Sequence, residues 1–242
     1  MATHAAIDIV FSDGSVTFLR DEISENTLTE IQTDASGILN ITGDISVGVA
    51  NQGKTATHAI CKIQTDSATS GAFAYGAFYG PQGNVLCPIQ GGGSFVSGNP
   101  PLKKPVRMQS GVVVKVFWQA VADAVQYGST AVYCASGKCD IFQGLAVDDT
   151  NVSMVNKDNA TWGEALAGET VVATMSTYSA TNGLADTGVA DGIDGFFVES
   201  ASGQLMGLFY PAKGSADQWP VPWAPCRIRV SQNDTLTLRA NV

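Results

Sequence analysis

Charged residues are scarce in this chain of 242: Asp, Glu, Lys and Arg make up 14% of it, against about a quarter in an ordinary globular protein. The 13 Lys and Arg are outnumbered by 22 Asp and Glu, a net charge of −9, which excludes broad salt-dependent attachment to nucleic acid or to an anionic membrane. Histidine is reduced to His4 and His58, so a histidine-rich metal site is excluded and a His-based triad has one candidate member, His58. His4 is expected in a mobile terminus and His58 on a solvent-facing strand. No run approaches the ~18 apolar residues of a membrane-spanning helix, and Met1 to Ile9 lack the pattern of a secretory leader, so a soluble chain made in the cytosol is expected. Without a leader, the acceptor-like triplets starting at Asn40, Asn151, Asn159 and Asn233 carry no weight.

The five cysteines, Cys61, Cys87, Cys134, Cys139 and Cys226, are an odd number in a chain too large to need staples, so free thiols are expected rather than a disulfide framework. Cys134 and Cys139 flank Ala135-Ser-Gly-Lys138, which reads as a tight hairpin turn.

Apolar residues alternate with polar ones at period two, bounded by Gly, Pro, Asn and Asp, as in Ile7-Asp-Ile-Val-Phe11, Val112-Val-Val-Lys-Val-Phe-Trp118 and Thr235-Leu-Thr-Leu-Arg239. This is an all-β pattern. Helical spacing is confined to 119–126 and 160–166, which read as connectors.

A faint internal repeat runs through the chain. Ile9-Val-Phe-Ser-Asp-Gly14 lies over Val132-Tyr-Cys-Ala-Ser-Gly137 at an offset of 123, and Ser67-Ala-Thr-Ser-Gly71 over Ser179-Ala-Thr-Asn-Gly183 at 112. At 120, Gly83-Asn-Val-Leu pairs with Gly203-Gln-Leu-Met and Pro105-Val-Arg-Met with Pro225-Cys-Arg-Ile. Glycine and proline recur where turn geometry demands them, so the colinear blocks predict two tandem β-sandwich (jelly-roll-like) units related by duplication, residues 1–122 and 123–242.

The sharpest chemical motif is Gly48-Val-Ala-Asn-Gln-Gly53-Lys54-Thr55, a literal match to the phosphate-cradling G-x-x-x-x-G-K-[ST] loop. That loop needs a helix after its Lys, whereas Ala56 to Thr65 reads as a strand, so 51–53 is expected to form a hairpin tip. Asp148 and Asp149, with Asp140 and Asp158 nearby, and separately Asp186, Asp191 and Asp194, have the oxygen ligands for calcium without the spacing of a known loop. No residues are assigned to catalysis, and neither a metal nor a cofactor is expected.

The segment from Ser67 to Ala122 holds no acid but carries Lys103, Lys104, Arg107 and Lys115, while the corresponding part of the second half replaces flexible Gly and Ser with Trp219, Pro220, Pro222 and Trp223. Trp219, Trp223, Lys103, Lys104 and the matched Arg107 and Arg227 are therefore expected to form interfaces.

Two tandem all-β units with a low-charge surface and long Gly/Pro loops resemble the double jelly-roll capsid proteins, and in function resemble the cement or decoration proteins of phage shells. The resemblance implies a virion structural protein without enzymatic activity, made in the host cytoplasm. It implies a homo-oligomer, a trimer first, which joins neighbouring capsid proteins without touching nucleic acid directly. The alternative is a carbohydrate-binding or adhesive module in which the tryptophans stack on a sugar and the acidic loops hold calcium; a β-sandwich hydrolase is a weaker third.

Overall fold

A computed structural model describes residues 3–23, 28–33, 45–65, 73–92, 99–119, 125–147, 150–180, 192–209, 212–213 and 223–241. The chain forms two compact units. Unit 1 contains β1 (Thr3–Phe11), β2 (Val16–Ile23), β3 (Leu28–Thr33), β4 (Ile45–Ser46), α1 (Val47–Ala50), β5 (Thr55–Thr65), β6 (Phe73–Tyr79), β7 (Val85–Gly92), β8 (Pro101–Arg107) and β9 (Val113–Gln119). Unit 2 contains β10 (Val125–Cys134), β11 (Cys139–Val147), β12 (Asn151–Ser153), α2 (Trp162–Leu166), β13 (Thr170–Ala180), β14 (Gly192–Glu199), β15 (Leu205–Phe209), β16 (Ala212–Lys213), β17 (Ala224–Arg229) and β18 (Thr235–Asn241). The expected boundary at 122/123 lies outside the described residues.

The protein is all-β, and both units use one pairing scheme. The first sheet of unit 1 runs β2-β1-β5-β8 and the second β3-β9-β6-β7; in unit 2 the first runs β11-β10-β13-β17 and the second β12-β18-β14-β15. A short parallel contact joins the two sheets of unit 1, Ile60–Lys62 against Gln90–Gly92, and in unit 2 the short strand β16 pairs with β13 at the corresponding place, Thr177–Tyr178 against Ala212–Lys213. Hairpins such as β1–β2 and β6–β7 stay within one layer, while the connections β2 to β3, β5 to β6 and β7 to β8 cross between two antiparallel layers, as in a Greek-key sandwich. Alternation places Ile7, Ile9, Phe11, Phe78, Val114 and Val116 in the core of unit 1. Val132, Phe142, Phe196, Val198, Leu236 and Leu238 fill that of unit 2, with Trp162 among them.

The correspondence extends to individual hydrogen bonds. In the first hairpins Gly14 N–H donates to Phe11 O (3.0 Å) and Gly137 N–H to Cys134 O (2.9 Å). Both glycines have positive φ, 81° and 88°, where a side chain is disfavoured. A bulge skips Thr57 in β5 and its counterpart Val172 in β13, tightening the twist of each first sheet at the same place.

These contacts also correct the repeat's register. The offset of 123 holds for the first hairpin. It falls to 115 at β5 and β13, where Ala56 faces Phe11 and Val171 faces Cys134. It is 120 at the turn holding Gly83 and Gly203. It is then 122 in the last two strands, because Thr55 pairs with Arg107 and Thr170 with Arg229. The structural partner of Arg107 is therefore Arg229, not Arg227. The block at offset 112 is out of register too: Ser179 and Ala180 lie inside β13, while Ser67 to Gly71 lie outside the described residues. Loops that differ in length shift the offset, and a two-residue slip preserves the alternation that made 120 fit.

Other local expectations change as well. His4 sits in β1, paired with Glu22 and Gln64, rather than in a mobile terminus. Of the expected helical stretch 119–126, Gln119 ends β9 and Val125 and Gln126 begin β10, while 120–124 lie outside the described residues. The connector at 160–166 does hold a helix: α2 starts at Thr161, whose N–H and hydroxyl both donate to Glu164 (2.8 and 2.9 Å).

The G-x-x-x-x-G match has a structural origin. The helical turn α1 precedes Lys54 and strand β5 follows it, the reverse of a phosphate-binding loop, and residues 51–53 join α1 to β5 rather than cap a hairpin. Gly48 donates to Val112 O (2.9 Å) and Gly53, at φ 88°, to Met108 O (3.0 Å). Unit 2 repeats the spacing as Gly163 and Gly168, which donate to Asp234 O and Val230 O (3.0 Å each). A Cβ at Gly48 would collide with the carbonyls of Gln109 and Val112, and one at Gly163 with those of Gln232 and Asp234. Each glycine is thus required by a close backbone approach, with no phosphate involved.

Gly48→Ala and Gly163→Ala are each expected to destabilise by ~3 kcal/mol or more, since neither the helical turn nor the facing carbonyls can move independently, whereas Gly14→Ala, with open space around its Cβ, costs about 1 kcal/mol. Urea denaturation of the three variants measures the difference. Trp162 is fully buried between Phe142 and Phe209, and its Nε1–H has no hydrogen-bond partner among the described residues. Trp162→Phe should therefore stay within about 1 kcal/mol of the parent, lost volume offsetting the removed orphan donor, while Trp162→Ala costs ~3–5 kcal/mol. The same titration separates them.

Candidate interaction surfaces

Among the described residues strands β8 and β17 each pair with one neighbour, β5 and β13, and so form corresponding edges. Each presents prolines and cations: Pro101, Lys103, Pro105 and Arg107 are exposed on β8, and Pro225, Arg227 and Arg229 on β17. Proline removes a ladder donor and a cation resists burial, so these edges are poor templates for an added strand. Val106 and Ile228 point the other way into the cores.

The structure thus brings Lys103, Lys104 and Arg107 onto one edge strand, with Lys104 half-buried. Arg227 takes the position of Pro105, and Arg229, which the sequence reading missed, takes that of Arg107. Only the pairing of both strands to the bulged β5 and β13 reveals that match. Lys115 lies apart from the cationic edge, its Nζ 5.6 Å from the centroid of the Tyr79 ring. Trp223 is half-buried just before β17; Trp219 lies outside the described residues.

The short turns at one end of each unit are tied together by charged groups of reversed sign. In unit 1 Asp13 accepts from Ser15 Oγ (2.6 Å) and the Ser15 N–H (2.9 Å), and Lys54 donates to Ser15 Oγ (3.0 Å). The Ser15 hydroxyl and amide, with Lys54 adding, hold the Asp13 carboxyl below its ordinary range. In unit 2 the positions of Asp13, Ser15 and Lys54 are Ser136, Lys138 and Glu169. Ser136 donates to Glu169 (2.7 Å), and Lys138 donates to Ala165 O (2.5 Å) at the end of α2. Cation and anion have exchanged loops while the connection persists.

Residues proposed for metal or nucleophilic chemistry are engaged elsewhere or out of view. Asp140 is buried and accepts from Asn156 Nδ2 (3.0 Å) and the Ile141 N–H (2.9 Å), burial raising its pKa against those bonds. Asp158 pairs with Lys157 (2.9 Å). Asp148, Asp149, Asp186 and Asp191 lie outside the described residues, as does the side chain of Asp194. Among the described residues no three His, Cys, Asp or Glu side chains gather as metal ligands. His58 is half-buried in β5, its Nδ1 3.0 Å from Thr57 Oγ1.

All five cysteines are free thiols. Burial pushes Cys61 up to about 12 and Cys134 up to about 11, and raises Cys87, so these sulfurs stay protonated and unreactive near neutrality. Because the folded pKa values exceed the unfolded value of 9.0, the unfolded chain releases its protons first as pH rises. The stability is whole below pH 9 and falls above it, by about 1.4 kcal/mol per pH unit for each such thiol until its folded pKa is reached. Urea titrations between pH 8 and 11 should show that decline, and Cys61→Ala should make it shallower. Iodoacetamide should label the half-buried Cys226 in the native protein before Cys61 or Cys134, whose alkylation awaits denaturation; mass spectrometry of the digests reads the order.

No family model, curated protein or solved structure matches this chain.

Proposed function

We propose that the protein is a virion structural protein, a shell or cement subunit that works by packing sandwich against sandwich. The observation that carries this reading is the repetition of one sandwich scheme within a chain, down to its turns, bulges and close glycine contacts. Two such units supply near-equivalent building surfaces, and their common plan is that of an ancestral sandwich copied in tandem. Each is built around two layers of four principal strands joined by Greek-key crossings, the jelly-roll-like layout common among shell proteins.

Surface chemistry supports the same reading. With 14% charged residues, large lateral faces are removed from water at low desolvation cost. The cationic, proline-bearing edges discourage open-ended strand addition and leave the sheet faces to make the contacts. Homo-oligomers, trimers first, and neighbouring shell proteins are the partners this implies, with the virion as the place of work.

The test is electron microscopy of the purified protein together with mass photometry across micromolar concentrations. Regular multimers of fixed stoichiometry, shells, or decoration of a shell are expected. A chain that stays monomeric throughout, or that binds glycans on an array in a calcium-dependent way, overturns the reading in favour of an adhesive module.

A further inference from the structure

The first hairpin of unit 1 turns through Asp13-Gly14. An aspartate followed by glycine is the pair in which the carboxyl reaches the next backbone nitrogen with least hindrance, because glycine has no side chain to shield its own N–H. The sequence holds three such pairs, at 13–14, 191–192 and 194–195. Asp191 and the side chain of Asp194 lie outside the described residues, and Gly195 is buried. Asp13 and Gly14 are both exposed, and among the described residues nothing lies within 4 Å of where a Gly14 Cβ would stand. Water therefore reaches this pair freely.

Both reacting groups are nevertheless held. The Gly14 N–H donates to Phe11 O (3.0 Å). Asp13 Oδ1 accepts from the Ser15 N–H (2.9 Å) and from Ser15 Oγ (2.6 Å), and Lys54 Nζ donates to that same Oγ (3.0 Å). These bonds favour the ionised carboxylate, which has no leaving group to offer an attacking nitrogen. The flanks of the turn are fixed as well, Phe11 N–H donating to Ser15 O (2.9 Å) and Ser12 N–H to Thr55 O (2.8 Å). The corresponding turn of unit 2 is Ser136-Gly137, with the same glycine hydrogen bond and no carboxyl, so the turn itself does not require an aspartate.

We infer that Asp13-Gly14 is a site of spontaneous conversion to isoaspartate, kept slow in the folded protein by Ser15 and Lys54. Water is the only co-reactant. The Gly14 nitrogen gives up its proton and bonds to Asp13 Cγ, the bond from Cγ to the protonated carboxyl oxygen breaks, and one water leaves, closing a five-membered imide. Water then adds to one imide carbonyl and a C–N bond opens. Opening at Cγ restores aspartate; opening at the main-chain carbonyl leaves the backbone running through Cβ and Cγ. The product has the mass of the parent and one more backbone atom in the turn. It removes the carboxylate from Ser15, and with it the order that lets Ser15 and Lys54 tie the hairpin to the start of β5. The inference stands apart from the reading of the protein as a shell subunit.

The experiment incubates the full chain and its variants Ser15→Ala, Ser15→Thr and Asp13→Ser at physiological temperature and pH, with circular dichroism verifying that each is folded and the urea-unfolded parent as the reference for an open turn. Isoaspartate at residue 13 is read by an isoaspartate-specific methyltransferase and by peptide mapping, in which the modified peptide elutes separately at unchanged mass. Ser15→Ala should convert roughly fivefold faster than the folded parent or more, the change expected from losing one hydrogen bond. Ser15→Thr, which keeps the hydroxyl, should convert at the parent's rate, the unfolded parent should convert faster than any folded form, and Asp13→Ser should show no product there. A folded Ser15→Ala no faster than the parent, or Ser15→Thr as fast as Ser15→Ala, overturns the hold by Ser15. Absence of isoaspartate at residue 13 even in the unfolded parent overturns the site itself.

Discussion

The backbone approach at Gly48 and Gly163 is the constraint on which the rest of each unit depends. A helical turn with no side chain at its second residue lies directly against the turn that leads into the last strand. Its N–H supplies a hydrogen bond there, and the glycine five residues on supplies another. With the helical turn fixed in this way, the following strand starts at one height, and the bulge at Thr57 or Val172 sets its twist. The neighbouring edge strand inherits its register from that strand. A two-glycine spacing that looks like a nucleotide loop is thus a mechanical joint, present once in each sandwich.

Around that joint the two units preserve connections rather than residues. Lys54 and Ser15 in one are answered by Glu169 and Ser136 in the other, and Lys138 takes over the cationic role from the opposite loop. Either sign is accommodated at this contact because a serine hydroxyl accepts from the Lys54 ammonium in one unit and donates to the Glu169 carboxylate in the other. The reversal also gives the corresponding ends of the two units different local fields.

Sparse charge bears most on the sheet faces. Removing an aromatic and aliphatic face from water is favourable by roughly 25 cal/mol per Å², and every isolated charge on it adds a desolvation cost. The outer faces of both units carry few charges, so burial or exposure is decided by geometry rather than by a compositional barrier. The edges follow the opposite rule. Pro101, Pro105, Pro225 and the cations beside them make strand addition unfavourable there.

The sequence determined what is local. Alternation fixed the class and most strands, including the strand after Lys54 that excludes a phosphate loop, and the first hairpins of the two units were aligned at the offset their pairing shows because a positive-φ glycine marks each. Gly83 and Gly203 were matched for the same reason. Tertiary structure decided what depends on distant partners. The register of the last strands required the pairing of Thr55 with Arg107 and of Thr170 with Arg229, since loops of unequal length had shifted the offset without disturbing the alternation. Likewise, Phe18 and Ile141 occupy one position in a common scheme and are both large and apolar, yet one is open and the other buried. Hydrophobicity is a property of the residue, whereas exposure belongs to whatever the folded chain brings against it.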